Sequence, residues 1–229
     1  MKSKSLDWTQ LDVVIFDLDG TLIDSRHDLC DALNHAMALE GLPAITVEHM
    51  VKQISRGTKD YLRSITGGDT ARVESIFKNY ARHYRQNSLV KTTLYPRTLE
   101  LLNHFHKKVP MAVMSNKHQT SCEIVMKGLS IDHYFEMIVG GDVVGKKPDP
   151  APLLLICEKL GVEASKGVMI GDSPFDLQAA KAIGMKCIGL LGGFVPAQEV
   201  LQEGAHAFFL DPDELFQSIL ATENVSTSS

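Results

Sequence analysis

The sequence lacks the features that suit a membrane, a secretory route or a nucleic acid. No apolar run reaches the roughly 20 residues that cross a bilayer, and the first residues lack the apolar stretch of a secretory signal. The formal net charge is −5, whereas nucleic-acid binding requires a basic face. We therefore expect a cytoplasmic protein with neither membrane nor nucleic acid among its partners.

Cysteine and histidine also lack the spacing of a metal site. The four cysteines are scattered without a C-x-x-C pair, and the nine histidines form no H-x-x-x-H pair with a third ligand nearby. We expect the cysteines to be buried and reduced, as small apolar side chains are in a reducing compartment. Any metal site in this chain is expected to use oxygen ligands instead.

The composition is that of an ordinary globular protein. The chain has 229 residues, 44% hydrophobic and 22% charged. This length suits one large domain, or one domain with an insertion, and is sufficient to bury a substantial core without disulfides or structural metals.

The most informative segment is an apolar run, Val13–Phe16, that ends in Asp17 and Asp19. Four such residues in a row predict a strand buried on both faces, as in a parallel sheet. Residues two apart on an extended chain point the same way, so both carboxylates are expected to face one pocket. Two such close negative charges are costly unless a cation binds between them or one carboxylate takes up a proton. The plainer alternative is a strand followed by an Asp-rich turn.

The rest of the chain has two different patterns. From residue 24 to about 90 the apolar spacing is helical throughout, whereas after Tyr95 short apolar runs alternate with helices. Such alternation predicts βαβ units. The fold class is therefore α/β, a doubly wound parallel sheet with a Rossmann-like core and an inserted all-helical domain. We expect the core to comprise residues 1–22 and 92–229, and the insertion residues 23–91.

Three further polar groups follow predicted strands or loops of this core. They are Ser115-Asn116, the Lys146-Lys147-Pro148-Asp149-Pro150 segment, and Gly171-Asp172-Ser173-Pro174-Phe175-Asp176. Singly, each has an ordinary interpretation as a helix cap, a solvated charge or a turn. Together, they follow the strand ends at which open α/β sheets bind ligands.

This combination resembles the haloacid dehalogenase-like phosphohydrolases. D-L-D-G-T-L-I-D-S is similar to the first motif of that family, S-N-K to the second, K-P-D-P to the third and G-D-S-P-F-D to the fourth. The helical insertion resembles the cap domain of the family. Within the family, the chain is most similar to phosphoglycolate phosphatases, through the D-S that leads into the cap helix, Gly41-Leu42-Pro43 and the residues around Lys147.

The resemblance implies a phosphatase that works through an aspartyl-phosphate. Asp17 is then the nucleophile, and Asp19 protonates the leaving alkoxide and later deprotonates water. Mg²⁺ would be held by Asp17, the backbone carbonyl of Asp19 and Asp172, with Asp176 in support.

The resemblance also implies a phosphate-binding group of Ser115, Asn116 and Lys147. Lys147 is chosen over Lys146 because the family motif places lysine directly before proline. The expected partner is a small phosphorylated metabolite, and the chain is expected to be a monomer or a homodimer.

Substrate choice is expected to depend on Arg56, Gly57 and Lys59, at the break between two predicted cap helices. Arg56 and Lys59 are candidate partners for a substrate carboxylate such as that of phosphoglycolate. The alternative is that each is an ordinary solvated charge.

Two other functions are compatible with these motifs. A phosphosugar mutase of the same family shares the core motifs and this type of cap. A phosphoacceptor or binding module without turnover is the alternative from another class. A dehalogenase fits less well, because it has no use for the proton that Asp19 supplies.

Overall fold

The computed structural model describes residues 6–54 and 57–226, and the chain divides into two compact units. One unit contains the described residues up to Ile23 and from Leu94 onward, and the other is Asp24–Thr93. No helix in the described part of the chain is long and apolar enough to span a bilayer.

The first unit is built on a six-stranded parallel sheet, which confirms the predicted α/β architecture. The strand order is β5-β4-β1-β6-β7-β8, and a separate two-stranded sheet pairs β2 with β3. The strands are β1 (Val13–Phe16), β2 (Ile23–Asp24), β3 (Thr93–Leu94), β4 (Met111–Met114), β5 (Met137–Val139), β6 (Gly167–Gly171), β7 (Lys186–Leu190) and β8 (Ala207–Phe209).

Strand β1 lies at the centre of the sheet, and all four of its side chains are buried. Its last residue, Phe16, pairs with Val113 of β4 on one side and Ile170 of β6 on the other. From β1 the chain continues outward to β4 and β5, and then returns to the other side of β1 at β6. The carboxyl ends of β1, β4 and β6 therefore meet at the point where the strand order reverses, where open sheets form a ligand crevice.

The four cysteines of the chain are free and buried.

Six helices of the first unit connect the strands or follow the last one. Helix α8 begins at a Ser173 capping box directly after β6, so the N-terminus of that helix lies at the same sheet edge. The helices are α5 (Thr98–Phe105), α6 (Gln119–Gly128), α7 (Ala151–Leu160), α8 (Pro174–Ala182), α9 (Ala197–Glu203) and α10 (Pro212–Ser226).

The second unit consists of four helices, of which the first and the last pack closely together. Apolar side chains fill its interior, including Leu33, Met37, Leu62 and Ile76, all fully buried. The helices are α1 (Arg26–Ala38), α2 (Val47–Ile54), α3 (Thr58–Ile65) and α4 (Thr70–Asn87).

Candidate active site

Asp17 and Asp19 lie on a tight loop at the carboxyl end of β1. The backbone N–H of Asp17 extends the sheet by donating to the Ile170 carbonyl at 2.9 Å, and the Leu18 carbonyl accepts the N–H groups of Leu22 and Ile23. Asp17 is buried, and the side chain of Asp19 is 17% exposed. The loop thus presents one enclosed and one more accessible carboxylate.

Asp172 and Asp176 come from the carboxyl end of β6 and the first turn of α8. One carboxylate oxygen of Asp176 accepts from the Ser173 N–H at 3.0 Å and from the Ser173 hydroxyl at 2.6 Å. This capping box fixes the direction of the Asp176 side chain. The other Asp176 oxygen is left to face the interior of the site.

Three of these carboxylates form one buried cluster. An oxygen of Asp17, one of Asp172 and one of Asp176 all lie within 4.8 Å of one another. Oxygen donors in this number and at this distance suit a hard divalent cation. Of the residues predicted to serve the metal, the structure therefore brings these three side chains together.

Lys147 is the cation of this cluster. Its ammonium lies 2.6 Å from an oxygen of Asp17 and 2.6 Å from an oxygen of Asp176, and donates to the Met114 carbonyl at 3.3 Å. Lys147 is buried, whereas its neighbour Lys146 is exposed. With one lysine for three carboxylates, full ionisation of all three would leave the cluster with an excess of negative charge.

Asn116 is predicted to bind phosphate, and the structure places its side chain on the backbone of Lys147. The Lys147 N–H donates to the Asn116 side-chain oxygen at 2.7 Å, and the Asn116 amide donates to the Lys147 carbonyl at 3.1 Å. This double contact joins the loop after β4 to the loop that carries Lys147. Asn116 therefore fixes the position of the lysine.

The electrostatics of the cluster disfavour full ionisation of its carboxylates. Burial raises the pKa of Asp17 well above its usual range, and Lys147 only partly opposes this while Asp176 and Asp172 add to it. Burial and the charge of Asp176 raise the pKa of Asp172 to about 6. Burial alone would lower the pKa of Lys147, but Asp17 and Asp176 outweigh it and raise that pKa. A cation in the cluster would relieve this repulsion.

Asp172 is held by contacts that the sequence did not indicate. The Phe194 N–H donates to one of its oxygens at 2.6 Å, and the Thr21 hydroxyl to the other at 3.3 Å. A Cβ atom at Gly20 would lie 2.2 Å from an Asp172 oxygen, and one at Gly193 would lie 2.3 Å from the Asp172 Cβ. Both positions must therefore be glycine for the carboxylate to occupy this place.

Asp19 faces a second lysine, Lys117, which is not among the predicted site residues. The Lys117 ammonium lies 2.8 and 2.7 Å from the two oxygens of the Asp19 carboxylate. Buried Ser115, at the end of β4, accepts the Lys117 N–H with its hydroxyl oxygen at 3.3 Å. Lys117 belongs to the S-N-K segment, which follows a predicted strand. This position was the sequence signal that could have identified Lys117 as a site residue.

The three candidate specificity residues lie in the helical unit or outside the described residues. Arg56 lies outside them. Gly57 precedes α3 with a φ of +115°. The Lys59 ammonium lies 2.7 Å from Glu74 and 4.7 Å from the centre of the Phe77 ring. Lys59 is thus held within its own unit, and a contact with substrate stays a prediction.

A sequence model described as haloacid dehalogenase-like hydrolase matches residues 14–190, which is most of the chain. The chain belongs to this family. The matched segment contains all four carboxylates, both lysines and the whole helical unit.

The alignments with two curated relatives cover most of the chain. Phosphoglycolate phosphatase of Aquifex aeolicus is 37% identical over 187 residues, which are 80% of this chain and 86% of the relative. Phosphoglycolate phosphatase of Pseudomonas fluorescens is 32% identical over 219 residues, 92% of this chain and 80% of the relative. The similarity thus extends through core and insertion alike.

Two solved structures have the same fold as this chain. A predicted phosphoglycolate phosphatase from Haemophilus somnus 129pt superposes with a TM-score of 0.83 at 26% identity, covering 92% of this chain and 99% of that one. A hydrolase from Pseudomonas syringae has a TM-score of 0.76 at 27% identity, covering 90% and 96%.

Proposed function

We propose that this protein is a Mg²⁺-dependent phosphatase of small phosphate monoesters that works through an aspartyl-phosphate on Asp17. The observation that carries the proposal is the buried cluster in which Lys147 lies 2.6 Å from Asp17 and from Asp176, with Asp172 close by. Membership of a hydrolase family and the curated relatives named phosphoglycolate phosphatase support it.

The residues present fit a magnesium ion. Asp17, Asp172 and the backbone carbonyl of Asp19 would hold it, and Asp176 would support the site. The donor set consists of oxygens alone, and three buried carboxylates exceed the charge of Lys147. When bound, Mg²⁺ supplies positive charge that offsets both the carboxylates and the phosphoryl oxygens.

The chain's own groups account for each bond that changes. The Asp17 carboxylate attacks phosphorus, the bond to the leaving oxygen breaks, and protonated Asp19 donates its proton to that oxygen. Asp19, now a carboxylate, takes a proton from the water that attacks the aspartyl-phosphate, which releases inorganic phosphate and restores Asp17. Lys147 and Ser115 contact the phosphoryl oxygens, and Asn116 contributes by fixing the Lys147 backbone.

The proposed substrate is a phosphoglycolate-like monoester in the cytoplasm. The support for it is the name carried by the curated relatives. We further propose that the helical unit, Asp24–Thr93, is the cap domain of the family. Arg56 and Lys59 in this unit are the candidate partners of the substrate carboxylate.

Release of inorganic phosphate from a panel of esters tests the reaction. The wild type should release phosphate steadily with Mg²⁺, and Asp17→Asn should abolish release because an amide cannot form the acyl phosphate. Asp12→Asn, an exposed aspartate of the same unit, serves as the control and should retain activity. A phosphosugar mutase would return the phosphate to a sugar instead of releasing it steadily, and a non-catalytic module would show no turnover. Near-normal release by Asp17→Asn would overturn the mechanism.

A paired comparison of substrates tests the role of the helical unit. Arg56→Ala should lower kcat/KM strongly for phosphoglycolate and little for a small uncharged phosphate ester, because only the first offers a carboxylate. Lys52→Ala is the control, since Lys52 is an exposed lysine of the same unit. Equal responses to both esters would assign Arg56 a structural or solvated role and remove the physical basis for the glycolate assignment.

A further inference from the structure

Lys117 forms an ion pair with the Asp19 side chain. Its ammonium donates to both carboxylate oxygens, at 2.8 and 2.7 Å. The Lys117 side chain is only 7% exposed, and that of Asp19 17%. A pair this enclosed is screened little by water and holds its geometry far better than a surface pair.

The backbone around Lys117 is fixed at both of its polar groups. Its N–H donates to the Ser115 hydroxyl at 3.3 Å, and its carbonyl accepts the Gly141 N–H at 2.9 Å. The Cys122 thiol lies 3.7 Å from the same carbonyl. The lysine therefore approaches Asp19 from a rigid segment that also positions Ser115.

The topology explains why this residue meets Asp19. Lys117 comes three residues after β4 and Asp19 three residues after β1, and these strands are hydrogen-bonded neighbours with parallel register. Their carboxyl ends thus place the two side chains at the same sheet edge. The two lysines of the site pair with different carboxylates. Lys147 contacts Asp17 and Asp176, whereas Lys117 contacts Asp19.

We propose that Lys117 is a positioning residue that orients the Asp19 carboxyl group toward the oxygen of the leaving group. The inference rests on the proposed phosphatase function, in which Asp19 is the proton donor. The proton moves from Asp19 to the leaving oxygen and later from water to Asp19, while Lys117 keeps all of its protons. In the carboxylate form the ammonium contacts both Asp19 oxygens; when Asp19 holds the transferred proton, one oxygen bears that proton and the other keeps its hydrogen bond from the ammonium.

The leaving group distinguishes this role from others. Phenyl phosphate and para-nitrophenyl phosphate are similar in shape, but only the first has a leaving oxygen basic enough to depend strongly on a proton donor. Lys117→Met should lower kcat for phosphoglycolate and phenyl phosphate by about 10- to 100-fold, as expected when a proton donor is misplaced. It should lower kcat for para-nitrophenyl phosphate by less than about threefold and leave each KM within about twofold.

Matched variants complete the test. Lys146→Met removes an exposed lysine nearby and should change neither ester. In Asp19→Asn, adding Lys117→Met should cost little more with phenyl phosphate, because both changes remove the same donor. Lys117→Arg, which keeps two donors, should show a smaller loss with the same preference among esters, and provides the test if the Met variant unfolds.

Three results would overturn the proposal. Equal losses with both aryl esters would show that Lys117 does not act through the proton donor. A raised KM with unchanged kcat would show that it binds substrate, and additive losses in the double variant would show that it acts apart from Asp19. Wild type and Asp17→Asn, assayed in parallel, separate these results from failure of the proposed function, because a wild type without turnover would overturn the function and an active Asp17→Asn enzyme would overturn its mechanism.

Discussion

Asp172 is the carboxylate of the site that is held mainly by neutral donors. Its oxygens accept from the Phe194 N–H and the Thr21 hydroxyl, whereas the ammonium of Lys147 contacts Asp17 and Asp176. Burial, together with the charge of Asp176, raises the pKa of Asp172 to about 6. The ionised form of Asp172 therefore destabilises the folded protein when no metal is bound.

Because ionised Asp172 destabilises the metal-free fold, a variant without this charge is expected to be more stable. Because the folded pKa of Asp172 exceeds the unfolded one, the folded state binds more protons between about pH 4 and 6, and stability falls as pH rises through that window. A shift of this size corresponds to roughly 2–3 kcal/mol. Asp172→Asn should thus raise the Tm of the metal-free protein at pH 7.5 by about 5 °C, measured by thermal unfolding in excess chelator.

The control and the pH dependence make this prediction specific. The gain should shrink as the pH falls from about 6 to 4, because the folded state takes up the Asp172 proton over that range while the unfolded state is still largely ionised. Asp12→Asn, an exposed aspartate, should leave the Tm nearly unchanged at both pH values. If the Tm of Asp172→Asn at pH 7.5 is at or below that of the wild type, ionised Asp172 does not destabilise the metal-free protein and the prediction is wrong.

At the residue scale, side chains that follow strand ends could be predicted, and backbone donors could not. Asp17, Lys147 and Asp172 stand in segments whose order places them at one sheet edge, and the structure brings them together. The Phe194 N–H that holds Asp172 comes from a loop after β7 with no polar side chain to mark it. Backbone groups carry no sequence signal, because every residue except proline has the same donor.

Helix α1 depends on a buried carboxylate in its first turn. Asp28 is 3% exposed. Its oxygens accept the Lys91 N–H at 3.0 Å, the Thr92 N–H at 2.9 Å and the Thr92 hydroxyl at 2.8 Å. One side chain thus joins the start of the helical unit to its end. Asp31, one turn later, pairs with the Lys91 ammonium at 2.7 Å on the surface.

We expect substitution of these two aspartates to change the free energy of unfolding by different amounts. Asp28→Ala leaves two backbone N–H groups and a hydroxyl without their acceptor, and should cost about 2–4 kcal/mol of unfolding free energy. Asp31→Ala removes an exposed pair and should change stability little. Urea unfolding followed by circular dichroism measures both. Similar midpoints for the two variants would show that the contacts of Asp28 contribute no more than a surface pair.

At the element scale, a continuous apolar run predicts a buried strand accurately. The predicted strand Val13–Phe16 agrees with β1 to the residue. The two-residue strands β2 and β3 were not predicted. They are too short to show an alternating pattern, and they exist because the chain segments on either side bring them together.

For the whole molecule, the parallel sheet could be predicted because alternating strands and helices permit few arrangements. The strand order could not, since the pattern does not say where the chain turns back. The observed return from β5 to β6, beside β1, brings Asp172 next to Asp17. The site is therefore a product of topology, and a cation bound there should stabilise the whole fold.

Metal binding should therefore appear as a change in global stability. A ligand that binds only the folded state at 100 times its Kd adds about 2.7 kcal/mol, which corresponds to a rise in Tm of about 5–10 °C. Mg²⁺ should raise the Tm of the wild type by this amount and restore activity after chelation. Ca²⁺ should restore little activity, because its larger and looser shell suits a small octahedral site poorly.

The same titration in two variants identifies the ligands. Asp172→Asn removes a carboxylate from the buried cluster and should lose most of the Mg²⁺-dependent rise, although its metal-free Tm starts higher. Asp12→Asn should keep the full rise. The Tm values of wild type and Asp172→Asn should therefore converge as Mg²⁺ is added. Equal increases in the Tm of both proteins on addition of Mg²⁺ would show that the metal binds elsewhere and that Asp172 is not one of its ligands.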